Sequence, residues 1–159
     1  MIKDLIDLEK ENQPLCLSAM SKNDLLILST IIQDSIVDSK NIKWLPKSRR
    51  FAMLINRFRW EDENFVRFDG GPFERVQSTL VFEGVLTAQS KGIEQKHMNQ
   101  YWILMIEVSQ NENNQSQFIK VKFADSGTIS LQVEYIEAFL KDVSRPFYSS
   151  LTRLPNHGI

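Results

Sequence analysis

The chain has 159 residues, with 19 Lys plus Arg against 20 Asp plus Glu, a net charge of -1 and a pI near 6.1. Apolar residues make up 42% and Gly and Pro together only 11 positions, which excludes disordered, collagen-like and linker-dominated chains. The near-neutral balance also excludes the strongly basic composition of a dedicated nucleic-acid binder.

A single domain over 1–159 is therefore the expectation, irregular at 1–13 and 145–159. The N-terminus carries Asp4, Asp7, Glu9 and Glu11, the wrong charge for a signal or transit peptide. Together with the lack of any apolar run near the ~18 residues of a membrane span, this predicts a cytoplasmic protein with no membrane partner. Leu15 to Ala19 alternates and reads as a brief strand. The lone Cys16 within it is expected to act as a small buried hydrophobe.

Ser21 with Asp24 three residues on predicts a helix start, the hydroxyl accepting a backbone N–H and the carboxylate favouring the positive helix end. Leu25, Leu28, Ile31 and Ile32 share one face, and Leu26 with Ile27 suggests burial on a second side. From Ile36 the pattern becomes strands: Ile36–Asp38 and Ile42–Leu45, separated by a turn at Ser39-Lys40-Asn41. Phe51 to Trp60 places apolar residues at odd positions (Phe51, Met53, Ile55) and then at even ones (Phe58, Trp60). A bulge at Asn56-Arg57 would put all five on one face, since one extra residue flips every later side chain.

Glu61 to Pro72 reads as a hairpin loop, tightest at Asp69-Gly70-Gly71. Val76, Leu80, Phe82 and Leu86 then form a long strand with one wet face. Trp102, Leu104, Ile106 and Val108, with Ile103 and Met105 between them, form a central one. Ile119–Phe123 and Ile129–Val133 make a hairpin across Asp125-Ser126-Gly127. Ile136, Phe139, Leu140 and Val143 return to helical spacing, and Pro146 stops that helix. The expected fold is α+β: an antiparallel sheet or small, partly open barrel of about six to seven strands with an N-terminal and a C-terminal helix.

Charge is segregated along the chain. Between Asp38 and Glu61 stand Lys40, Lys43, Lys47, Arg49, Arg50, Arg57 and Arg59 with no acid, whereas the remainder has a balance of -8. Trp44, Phe51, Phe58 and Trp60 interleave with these cations. Guanidinium groups meet phosphates or carboxylates and rings offer stacking surfaces, so Lys47, Arg49, Arg50, Arg57, Arg59 and Trp60 form a candidate anion-binding strip. The structural alternative is that Arg57 and Arg59 pair with acids such as Glu61, Asp62, Glu74 or Glu83 on neighbouring strands.

Catalytic and metal-site spacings are missing. His97 and His157 belong to no ligand motif, so no metal, no cofactor and no catalytic residue is assigned. The leading expectation is a non-enzymatic binding or adaptor module, a monomer or weak homo-oligomer, whose partner is a protein or an anionic small molecule. An enzyme acting on a small anionic metabolite is the alternative, with Arg49 or Arg50 holding the anion and Glu74 or Asp69 as base. Nucleic-acid binding stands third.

The run Leu45-Pro46-Lys47-Ser48-Arg49-Arg50-Phe51-Ala52, continuing through Asn56-Arg57-Phe58-Arg59-Trp60-Glu61, resembles the signature of the alphaproteobacterial domain-of-unknown-function family 2948. Asp24-Leu25, Gln33-Asp34, Phe73-Glu74-Arg75-Val76, Ser90-Lys91-Gly92-Ile93 and Val133-Glu134-Tyr135-Ile136-Glu137-Ala138 extend the resemblance over nearly the whole chain. It implies no activity and no catalytic residue. Antiparallel strands closed by a C-terminal helix are also similar to a pleckstrin-homology-like barrel.

Overall fold

The structure, a computed structural model, describes residues 13–59, 74–94, 99–110 and 116–148. In chain order the elements are β1 (Cys16–Ala19), α1 (Lys22–Ile32), β2 (Ile36–Leu45), β3 (Arg50–Phe58), β4 (Glu74–Phe82), β5 (Val85–Lys91), β6 (Gln100–Gln110), β7 (Gln117–Phe123), β8 (Thr128–Val133), β9 (Ala138–Asp142) and β10 (Phe147–Tyr148). All strand pairs are antiparallel, in the order β1-β9-β4-β3-β2-β6-β7-β8-β5, with β10 on β4. The sheet is open, but it turns back on itself. The Val85 N–H donates to the Arg49 carbonyl at 2.8 Å, joining β5 to the start of β3. One core cluster accordingly takes Met53, Phe82 and Leu140 from one half and Ile119, Leu131 and Val85 from the other.

This corrects the α+β expectation. Among the described residues α1 is the one α-helix, and the segment read as a C-terminal helix is β9. The pleckstrin-homology-like plan, which needs that closing helix, falls with it. In β9, Ala138, Leu140 and Asp142 point inward while Phe139 and Lys141 point out, so its period is two. The helical spacing put Phe139 and Val143 on the buried face together with Ile136 and Leu140. In fact Val143 is 50% exposed, and Asp142 is buried because a cation waits for it.

α1 begins as its sequence predicts. The Ser21 hydroxyl accepts from the Asp24 N–H at 3.1 Å, and the Asp24 carboxylate accepts from the Met20 N–H at 3.0 Å. Leu25, Leu28 and Ile32 are buried, each contributing about 1.5–3 kcal/mol. Leu26 and Ile27, expected to be buried on a second side, are exposed. The helix covers β6, where the Ser29 hydroxyl accepts from the Ile106 N–H at 2.9 Å. No helix among the described residues is long and apolar enough to cross a membrane.

The bulge expected in β3 is absent. Its register with β4 runs unbroken from Phe51↔Phe82 to Phe58↔Arg75, so Phe51, Met53, Ile55 and Arg57 share one face. Register shifts lie instead in β2 between Val37 and Ile42, in β5 between Val85 and Thr87, and in β6 between Ile103 and Met105. The shift in β2 means that Ser39-Lys40-Asn41 is a bend within one strand and not a turn between two. In β6 the shift buries both Ile103 and Ile106, which strict alternation forbids. Cys16 is exposed, against expectation. On edge strand β1 the alternation turns Ala19 inward and Cys16 out.

Candidate functional site

Lys47 and Arg49 occupy the β2–β3 connection, a 3-10 turn over Pro46–Ser48 followed by Arg49 in the left-handed region at φ 51, and Arg50 opens β3. All three are exposed. The Arg49 guanidinium pairs with Glu134, and Arg50 Nε donates to Glu83 Oε1 at 2.6 Å. Lys47 makes no ion pair among the described residues.

Arg57 and Arg59 sit elsewhere and do different work. Arg57 is fully buried and faces the core. Its Nε donates to Asp142 Oδ1 at 3.0 Å and to Ser78 Oγ at 3.2 Å, its Nη2 to Asp142 Oδ2 at 2.8 Å, and its Nη1 to the Phe58 carbonyl at 3.1 Å. Asp142 also accepts from the Ser78 hydroxyl at 2.6 Å and from the Leu15 N–H at 2.8 Å. Burial alone would raise the Asp142 carboxyl. The hydrogen bonds from Arg57, Ser78 and Leu15 and the Arg57 charge together hold it below the usual carboxylate range. This cluster ties β3, β4 and β9 to the residue preceding β1.

Arg59 is 5% exposed, and its Nη1 meets Glu74 Oε2 at 2.8 Å, which also engages the acid read as a candidate base. The strip is therefore not one solvated surface. Its first half lies open at the β2–β3 turn and its second half is a structural ion-pair layer. This is the alternative in which neighbouring strands supply acids, with Asp142 as a partner that the sequence did not suggest. Trp60, Asp69, His97 and His157 lie outside the described residues.

A third buried cation, Arg75, lies on the opposite face of the sheet from Arg57. Its guanidinium stacks 3.8 Å from the Phe58 ring centroid and 5.7 Å from that of Trp102. Burial lowers its pKa to about 10, partly countered by the Asp34 carboxylate. Phe58 is thus buried without belonging to the core face of β3, because Arg75 covers it. Its apolar side chain at an even position is what suggests a parity flip that the strand does not make.

Near the open half of the strip a cleft of about 190 Å³ lies between β2–β3 and β5–β8, walled by Trp44, Phe51, Ile42, Ala88, Ile93 and Ile129, with Gln89 and Ser90 of β5 also lining it. The Trp44 and Phe51 rings are 6.5 Å apart. The turn at Gly92, φ +75, comes so close to Gly127 that a side chain at Gly92 would stand 3.3 Å from the Gly127 α-carbon. That approach sets Ile93 against the cleft. Sequence reasoning named Trp44 and Phe51 as aromatics within the basic stretch, but not the β5 and β8 walls, which carry ordinary strand residues with no distinguishing signal. A second, more open groove of about 680 Å³ runs from Lys22 and Leu26 of α1 to Met105, Phe118 and Lys120 on the sheet. Among the described residues no group of three or more His, Cys, Asp or Glu could hold a metal ion.

One capped helix on an open antiparallel sheet, with buried arginines tied to acids at one end and an apolar cleft beside exposed cations at the other, defines a mainly β domain. The chain belongs to the family described as Protein of unknown function (DUF2948), whose model matches residues 15–157. No curated protein and no solved structure gives a significant match to the chain.

Proposed function

We propose that the protein is a binding module whose partner is acidic and carries an apolar group, taken up at the cleft beside the β2–β3 turn. The observation that supports this reading most is the juxtaposition of an apolar recess, walled by Trp44 and Phe51, with a turn bearing Lys47 and Arg49 and with Arg50 at the start of β3. Ligand sites are concave, mostly apolar and oriented by a few polar groups, and this is the arrangement found here. Arg49 and Arg50 already have acid partners, so they add hydrogen-bonding geometry, whereas Lys47 makes no ion pair among the described residues. A protein partner in the cell's interior fits this chemistry, as does an amphipathic small anion.

The test uses anilinonaphthalene sulfonate, an anion with two apolar ring systems. Titrated into the chain and followed by amide and indole chemical shifts, it should perturb Trp44, Ala88, Ile93 and Ile129, and Lys47→Glu should weaken binding about tenfold, or 1.4 kcal/mol. Perturbation confined to other surfaces, or an affinity unchanged by Lys47→Glu, would contradict the reading.

A further inference from the structure

β5 is the last strand in the sheet order and has β8 as its single strand neighbour among the described residues. An edge strand leaves a row of N–H and C=O groups facing away from the sheet. Beyond Val85, whose N–H is bonded to Arg49, no backbone hydrogen bond closes that edge among the described residues. Natural edges are blunted by being short, bulged, covered or charged. β5 is bulged at its beginning and carries Lys91 at its end, but from Thr87 to Ser90 its pairing with β8 is regular and its side chains are neutral.

Two features surround this open edge. On the inner face, Ala88 and Ser90 lie opposite the buried Leu131 and Ile129, and both line the cleft walled by Trp44 and Phe51. At the ends stand two exposed cations, Lys91 at the end of β5 and Lys47 in the Pro46–Ser48 turn that packs against β5. Neither makes an ion pair among the described residues.

We infer that β5 receives an extended, acidic peptide of a partner protein as an added strand, with one apolar side chain of that peptide seated in the cleft against Trp44 and Phe51. This deepens the binding reading above and rests on it. A strand laid along β5 sends alternate side chains to opposite faces, so those on the inner face come beside Ala88 and Ser90 and over the cleft. An apolar cavity of about 150 Å³ takes a benzene ring, so a recess of about 190 Å³ takes one aromatic or branched side chain. At ~3.3 Å per residue, the seven residues of β5 match a peptide of similar length with its acids at the ends, beside Lys47 and Lys91. Main-chain bonds would supply affinity and the seated side chain selectivity, the general division of labour in strand addition. A second copy of this chain fits less well: β5 would offer Ala88 or Ser90 to the cleft, too small or too polar to fill it.

The probe is a displayed library of random nine-residue peptides, selected on the full chain. Enrichment of extended sequences with one large apolar residue flanked by Asp or Glu is expected. A selected peptide is then made in two N-methylated forms, one blocked at odd and one at even positions. Strand addition predicts that one form loses binding more than tenfold while the other stays within about twofold, because alternate N–H groups face β5. Trp44→Ala should weaken the unmethylated peptide about tenfold. Equal tolerance of both methylated forms, or indifference to Trp44→Ala, overturns the inference. If no peptide is enriched while the sulfonate still binds at the cleft, strand addition falls and the binding reading stands. Absence of both overturns the reading itself. Protein that is dimeric before peptide is added and monomeric with it would place a second copy on β5, which also overturns the choice of occupant.

Discussion

The two ends of β3 carry the same residue type and do opposite things with it. At its start, Arg50 is half exposed and pairs with Glu83 in solvent. Seven residues on, Arg57 is fully buried and pairs with Asp142 in the core. An exposed pair of this sort is worth ~0.2–1 kcal/mol, whereas breaking a buried one costs ~3–5 kcal/mol because the survivor is left charged and unsolvated. Sequence distance and charge sign do not separate the two cases. The partner does: Asp142 arrives from 85 residues away, and with Ser78 it satisfies a guanidinium that could not otherwise be buried.

The largest effect should therefore come from breaking the buried end. Asp142→Ala is expected to lower unfolding free energy by ~3–5 kcal/mol in urea titrations. The double change Arg57→Met with Asp142→Leu should recover most of that loss, since apolar replacements of a buried pair are often neutral or stabilising. The recovery would fall short by the hydrogen bond that Asp142 accepts from the Leu15 N–H. A double variant no better than Asp142→Ala would refute the assignment of the cost to an unpaired charge.

The same carboxylate makes the fold acid-sensitive. Its pKa lies below the usual range when folded, so its contribution is fully present above the unfolded value of ~3.9 and is lost as pH falls through the folded value. Unfolding free energy measured between pH 5 and pH 2 should drop more steeply in the native chain than in the Arg57→Met, Asp142→Leu variant. Parallel slopes would contradict this.

How much of this was legible in the sequence divides along the same line. The cap of α1 was readable, because Ser21 and Asp24 are three residues apart and satisfy each other's neighbourhood locally. The hairpin of β7 and β8 was readable from strict alternation. The bulge expected in β3 and the expected C-terminal helix share one source of error: apolar side chains alone were used to assign the core face. Counting Phe58 as core calls for a bulge that is absent, because Arg57 holds that core position and Arg75 covers Phe58, and the apolar spacing of Ile136, Phe139, Leu140 and Val143 reads as helical although Asp142 takes the inward position of a strand. Arg57 and Asp142 are each other's missing partner, and neither position alone reveals it. The apolar cleft was half legible through Trp44 and Phe51. Its β5 and β8 walls depend on how the sheet turns back, which no local pattern encodes.

At the exposed end the expected effects are smaller. Gly84 adopts φ +67, and a side chain there would stand 2.7 Å from the Tyr135 ring. Gly84→Ala should cost ~1–3 kcal/mol through overcrowding, seen as a lower melting temperature, and combining it with Tyr135→Ala should remove the contact part of that cost. Smallest of all, Glu83→Ala should lower stability by less than ~1 kcal/mol, because its pair with Arg50 is open to solvent. A loss of several kcal/mol would mean that the two ends of β3 are not so different.

The division of the basic stretch is tested most directly by hydrogen exchange at arginine side chains. In 1H–15N spectra with resonances assigned by single Arg→Lys replacements, the Nε–H of Arg57 should exchange with solvent orders of magnitude more slowly than those of Arg49 and Arg50. Fast exchange at Arg57, matching Arg49 and Arg50, would restore a continuous solvated strip and contradict the account.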